Sequence, residues 1–159
     1  MGRRSSPLLS RGQPEIYRRA SSERLGGQVD RAGVEVGVLA AEGLGKLRDR
    51  TSVGLLLAAA ETDDVVLAQA VVAAVIDIGT PEETRAEMAK LGVRGQRAAL
   101  TALGQIDDAQ LKAGEILPHL VSADSNMRRT AAWIVGHHPE WADALAGFFK
   151  DRLLNKSLS

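Results

Sequence analysis

The chain has 159 residues, 45% of them apolar and 25% charged, proportions that suit one soluble globular domain with a substantial core. Twenty basic residues balance twenty acidic ones, so no overall field draws the chain to nucleic acid or to an anionic membrane. There is no cysteine, which excludes disulfides, thiolate nucleophiles, sulfur-ligated metals and covalent c-type haem attachment.

Residues 1–31 come first, with seven arginines against three acidic residues, much Ser and Gly, and scarcely any apolar periodicity. Such a composition buries too little surface to offset the entropy of ordering, so a loose basic arm is expected, with a helical turn or two around Glu15 to Arg24. Its apolar run Pro7-Leu8-Leu9 is far shorter than a secretion signal needs, which leaves the cytoplasm as the default compartment.

From Val34 onward the texture changes to alanine-rich apolar runs broken by Gly, Pro or acidic pairs. No run alternates with period two, so strands have little support and an all-α domain over residues 32–155 is expected, with 156–159 as a tail. A helix is expected at 34–48, then another from Thr51 to Glu61. Asp63 or Asp64 can cap a third that runs to Ile78 before Gly79. That helix carries the most apolar stretch, Val65 to Ile76, but Gln69 interrupts it and it falls below the roughly 18 residues a membrane span needs, so no membrane partner is expected.

Thr80 precedes Pro81, Glu82 and Glu83, the pattern of an N-cap, a first-turn proline and dipole-compatible charge. This helix should extend to Leu91 and be closed by Gly92. Another is expected from Val93 to Gln105, one opened by Asp107 and Asp108 through Leu120, one from Ser125 to Gly136, and a last from Pro139 to Leu153.

These helices repeat. A glycine preceded by an apolar residue recurs at Leu44-Gly45, Ile78-Gly79, Leu103-Gly104 and Val135-Gly136, and five residues before each glycine stands an alanine, Ala40, Ala74, Ala99 and Ala131. Nine residues before stand Val36, Ala70, Gly95 and Met127. Positions i, i+4 and i+8 form one stripe on a helix, where small side chains allow close approach and the glycine suits a left-handed C-cap. Each unit alone leaves an apolar face exposed, and stacking in rows hides it.

The stretch "ILPHLVSADSNMRRTAAWIVG", residues 116–136, resembles a HEAT repeat, a unit with a leucine-proline kink in its first helix, an aspartate in the turn, and an apolar-Arg, Ala and apolar-Gly series in its second. Leu117-Pro118, Asp124, Met127-Arg128, Ala131 and Val135-Gly136 stand at those places, and the other three units are degenerate versions. The resemblance, which takes in phycobilisome-lyase-type repeats, implies a right-handed α-solenoid of about four helical hairpins that binds proteins. It implies for Asp124 and Arg128 a structural ladder along the stack. The tail "AAWIVGHHPEWADALAGFF" is similar to helical-repeat segments of very large bacterial multidomain proteins that also carry a propeller and a cytochrome module, which implies a piece of a longer chain. The Cys-x-x-Cys-His of such a module is missing, so no haem is expected.

Chemistry-bearing residues concentrate in "RRTAAWIVGHHPEW", residues 128–141. Trp133 lies near the edge of the buried stripe, where it fills an interface or anchors a partner; Trp141, in the first turn of the last helix, carries the same two readings. His137 and His138 sit in a turn without the i, i+3 or i+4 spacing of helical metal ligands, so capping of terminal carbonyls is the simpler role and no metal or cofactor is expected. His119 is read as solvated or hydrogen-bonded. The acidic pairs Asp63-Asp64, Glu82-Glu83 and Asp107-Asp108 are explained by capping rather than calcium. No Ser-His-Asp or Cys-His arrangement can be assembled, and "GLGK" at 43–46 lacks the span of a phosphate loop. The expectation is a non-catalytic scaffold for a protein partner or an adjacent domain of a longer chain, with Trp133, Trp141, Arg128 and Arg129 as candidate contacts. The alternative is a nucleic-acid module, akin to HEAT-like DNA glycosylases, using the arginine-rich arm and a patch of Arg94, Arg97, Arg128 and Arg129.

Overall fold

A computed structural model describes the backbone of Glu15–Lys156 and the side chains of residues 31–155, and the described residues are helical with no strand. The helices are α1 (Glu15–Leu47), α2 (Val53–Ala59), α3 (Val65–Ile78), α4 (Pro81–Met88), α5 (Val93–Leu103), α6 (Ala113–Ile116), α7 (Ser125–Gly136) and α8 (Ala142–Lys156). Short 3-10 turns at Arg50–Ser52, Leu117–Val121 and Pro139–Trp141 lead into or out of them. The expectations for residues 1–14 and 157–159 fall outside the described residues.

α1 starts at Glu15, not near Val34, so the expected break between arm and domain at Arg31 is absent from the backbone. Residues 15–31 contain no proline and several good helix formers, and once a helix is nucleated each added residue costs little. α1 ends at Leu47, within a residue of the expected end at 48, but Gly45 is not its cap. Gly45 lies inside the helix, and Arg48 adopts the left-handed conformation with φ 51°. The amides of Arg48 and Asp49 donate to the carbonyls of Gly45 and Leu44, the paired bonds of a Schellman ending.

Gly45 is needed for packing. A Cβ placed on it would lie 2.9 Å from the Cα of Ala74 on α3, so the two backbones approach more closely than any side chain permits. The register of α1 follows from this contact: Ala41 and Gly45 face inward, while Ala40, expected in the stripe, is exposed together with Val36. At the other three units the alanine stripe is as expected, with Ala74, Ala99 and Ala131 buried.

Only Gly79 of the four glycines is the left-handed C-cap the pattern suggests, with φ 66°. Gly104 is right-handed at the end of α5, and Gly136 is the exposed last residue of α7 with open space where a Cβ would go.

Caps explain most other boundaries. The carboxylates of Asp64 and Asp124 accept the amides of Leu67 at 2.9 Å and Met127 at 2.6 Å and so open α3 and α7. Thr80 makes no side-chain cap: its Oγ1 is buried without a hydrogen-bond partner, and Pro81 with Glu82 and Glu83 opens α4 without it. Gly92 does not close α4; it precedes α5, whose free amide at Gly95 is taken by Glu61 Oε1 at 3.0 Å, from the turn that follows α2.

Asp107 and Asp108 open no helix. The chain turns through Gln110 at φ 46° and buries Ala109, whose carbonyl accepts from Arg85 Nη2. α6 starts only at Ala113, where Glu115 reaches back to the Lys112 amide at 2.9 Å. Pro118 lacks an amide hydrogen, and the helix passes at Leu117 into a 3-10 turn.

The even-spaced contacts run in one direction. α1 packs on α3, α3 on α5 and α5 on α7. Gly37 meets Leu67 and Gly45 meets Ala74; Arg94 pairs with Asp63 at the start of α5; Gly104 meets Trp133 and Ile134. Early residues therefore meet early ones and late residues late ones, so α1, α3, α5 and α7 lie parallel. α2 and α4 pack on each other and on α5, and α6 with its 3-10 turn packs on α7. One buried cluster joins α1, α2, α3 and α5 through Ala41, Leu57, Val71, Val75 and Ala99; a second joins α5, α6 and α7 through Leu100, Ile116, Met127, Ala131 and Ile134. Each fully buried Leu, Ile or Met among them contributes roughly 1.5–3 kcal/mol by leaving water.

Candidate functional site

The parallel helices present one long surface. A groove of about 490 Å³ runs between α3 and α5 over Val72, Ile76 and Ala98, and a neighbouring one of about 390 Å³ runs between α5 and α7 under Trp133. Both are walled by Thr101 of α5 and by Gln105 in the turn just past its end, so they form a single band across α3, α5 and α7. On α5 and the turn that continues it the wall is built by helical spacing: Arg97, Thr101 and Gln105 stand four residues apart on the side away from Leu100 and Leu103.

The hydrogen bonds along that wall leave particular groups for a ligand. Thr101 Oγ1 donates to the Arg97 carbonyl at 2.8 Å, and Gln105 Nε2 donates to the Thr101 carbonyl at 3.1 Å. Their side-chain oxygens remain as acceptors at the surface.

Trp133 is 42% exposed on α7. Its ring lies across Gly104, where a Cβ would sit 3.1 Å from the indole Cζ3 and 3.1 Å from Ile134 Cγ1. It also touches the His137 ring, with centroids 4.7 Å apart and planes tilted by 52°. The indole is thus held by two contacts with part of its surface open, and Arg129 stands one helical turn before it on the same groove.

The other candidate residues are placed differently. Trp141 is 9% exposed, belongs to the second core cluster and stacks on His138 at 3.9 Å with an interplanar angle of 6°. It is a core residue and leaves the set of partner contacts, because the 3-10 turn before α8 rotates it inward. Arg128 donates through Nη1 to the carbonyls of Ser122 at 2.7 Å and Ala123 at 2.9 Å, closing the turn before its own helix. Arg128 and Asp124 therefore secure one turn, and among the described residues their side-chain hydrogen bonds stay within it where the resemblance implied a ladder between units.

The expected basic patch is divided in the same way. Arg94 is paired with Asp63 and Arg128 with backbone carbonyls, while the guanidinium groups of Arg97 and Arg129 make no hydrogen bond or ion pair among the described residues.

The histidine turn is local. His137 Nδ1 lies 2.8 Å from the Trp133 carbonyl, a C-terminal cap, and His138 Nδ1 lies 2.6 Å from Glu140 Oε1. That bond to His138 holds the Glu140 carboxyl below its ordinary value. His119 is half-buried, and burial lowers the affinity of its ring for a proton. Among the described residues no three or more His, Asp or Glu side chains converge as metal ligands, and no helix is long and apolar enough to cross a membrane.

A second cavity of about 570 Å³ lies at the start of α4 among Arg50, Thr80, Glu82, Arg85, Lys112 and Glu115. Its charges of both signs are largely matched: Arg85 Nε donates to Glu115 Oε1 at 2.8 Å. Burial raises the Glu115 carboxyl, but the Lys112 amide and the Arg85 guanidinium outweigh that and hold it below the ordinary glutamate value.

Of the groove residues, sequence reasoning named Trp133, Arg129, Arg94 and Arg97 and missed Val72, Ile76, Thr101 and Gln105. The polar spacing of 97, 101 and 105 on one face was a usable signal; the apolar floor had none, because only the parallel packing brings α3 beside α5. Comparison with known proteins finds no family model, no curated protein and no solved structure that matches this chain.

Proposed function

We propose that the chain is a short right-handed α-solenoid of HEAT-like hairpins and that it serves as a non-catalytic scaffold, holding a protein partner or a neighbouring domain of a longer chain. The observation that supports this reading most is the band across α3, α5 and α7, where parallel helices share one groove that ends at a braced, half-open Trp133. A partly exposed indole on a rigid helix is the kind of anchor that dominates protein interfaces. The order of contacts, α1 to α3 to α5 to α7, is that of units which each touch their neighbours in sequence.

The test is site-specific photocrosslinking in the native cell, with a photoreactive residue at Thr101 or Arg129 in the groove and, as a comparison, at Leu55, which is 75% exposed on α2. A discrete protein product from the groove positions and none from Leu55 is the expected result. Equal labelling at all three positions, or no protein product at any, would remove the scaffold reading.

A further inference from the structure

We propose that the groove shared by α3, α5 and α7 receives an extended peptide segment with acidic side chains about three residues apart, followed or preceded by an apolar residue that rests on Trp133. This rests on the scaffold reading and names the chemistry of its partner.

Charge complementarity selects the occupant. Arg97 on α5 and Arg129 on α7 border the groove, and neither has a partner of its own among the described residues. Each guanidinium can take a carboxylate in a two-pronged bond. Between them lie the oxygen acceptors of Thr101 and Gln105, which suit the backbone amides of a peptide laid across the helices. The floor of Val72, Ile76 and Ala98 suits apolar side chains on the α3 side.

The spacing follows from packing. Neighbouring packed helices stand about 8–10 Å apart, and a chain in the extended polyproline II conformation advances about 3.1 Å per residue and returns to the same face every third residue, so groups that reach α5 and α7 in turn are about three residues apart.

A nucleic acid fits less well. Its binding grows with the number of phosphates neutralised, whereas only the guanidinium groups of Arg97 and Arg129 are unpaired along this groove among the described residues, Arg94 being matched by Asp63, and Asp64 lines the α3 end of the same groove. That carboxylate would repel a continuous polyanion. A peptide with a few acids placed toward α7 avoids it.

The experiment selects twelve-residue peptides from a random display library on the full chain, then measures the winners by fluorescence anisotropy. A single-stranded oligo(dT) is run as competitor. Expected are winners enriched in acid pairs about three residues apart with an apolar neighbour, and affinities that fall about tenfold for Arg97→Glu or Arg129→Glu, the loss of one charge-assisted contact. Trp133→Ala should weaken binding to a similar degree, Arg129→Lys should retain most of it, and Leu153→Ser on α8 should leave it unchanged. Far-UV circular dichroism establishes that each variant is folded, and the Leu153→Ser and Arg129→Lys variants keep the result interpretable if one of the others is not.

Winners without acidic enrichment, affinities indifferent to Arg97→Glu and Arg129→Glu, or displacement of the peptides by oligo(dT) would each overturn the proposal. If peptides bind elsewhere while the photocrosslinks persist, the groove assignment falls and the scaffold reading stands; if neither peptide nor crosslink is obtained, both fall.

Discussion

At Gly45 the two nearest backbones leave no room for a methyl group. Alanine is a better helix former than glycine by about 1 kcal/mol, yet a Cβ here would strike the Ala74 backbone at 2.9 Å. Overpacking of this kind costs roughly 1–3 kcal/mol. Gly45→Ala should therefore lower stability in urea denaturation, whereas Gly136→Ala, which meets open space, should raise it slightly. The same two glycines looked alike in the sequence because the Leu-Gly or Val-Gly pattern carries no information about which neighbour comes close. Glu115 gives a pH dependence. Its folded carboxyl is held below the ordinary value of 4.5, so its contribution to stability is present above that value and is lost as pH falls through the lower folded one. Urea midpoints measured from neutral to acid pH should fall in that window, and Glu115→Gln should flatten the slope.

Among the elements, the boundaries written in local chemistry were readable. Asp64 and Asp124 each cap a helix that begins at the next residue, as short polar side chains before an apolar run suggest. Asp64→Ala and Asp124→Ala should each cost about 1 kcal/mol in chemical denaturation, and Asp107→Ala should cost much less because Asp107 opens no helix. Boundaries set by distant residues were not readable. α5 is capped by Glu61, and the turn that displaces the start of α6 is held by Arg85 on α4. No window of a dozen residues contains both partners. Arg48 is the reverse case, a residue in a conformation its own chemistry disfavours. Arg48→Gly should relieve that strain and raise the thermal midpoint, by roughly 0.5–1 kcal/mol in stability after the greater chain entropy of glycine is set against it.

For the whole molecule, helix content and the alanine stripe of α3, α5 and α7 were legible because burial and period are statistical properties of long segments, whereas in α1 the stripe is shifted by one residue to Ala41. The groove was not, since it exists only where separate helices lie side by side. Stability is distributed unevenly along the row. α8 packs chiefly on the short turn before it and leaves Phe149, Leu153 and Leu154 exposed, while α5 is lined by Ala98, Ala99, Leu100, Ala102 and Leu103, all buried. Local opening follows such differences in burial. Hydrogen exchange read by mass spectrometry should show the amides of residues 142–156 exchanging well before those of α5; equal protection would contradict the packing.

α5 sends alanines to one buried cluster and Leu100 to the other. The two halves thus share a single keystone, and heat or force that loosens this rod releases both at once, whereas damage at either extremity stays local. Cooperativity in this chain is a property of its middle.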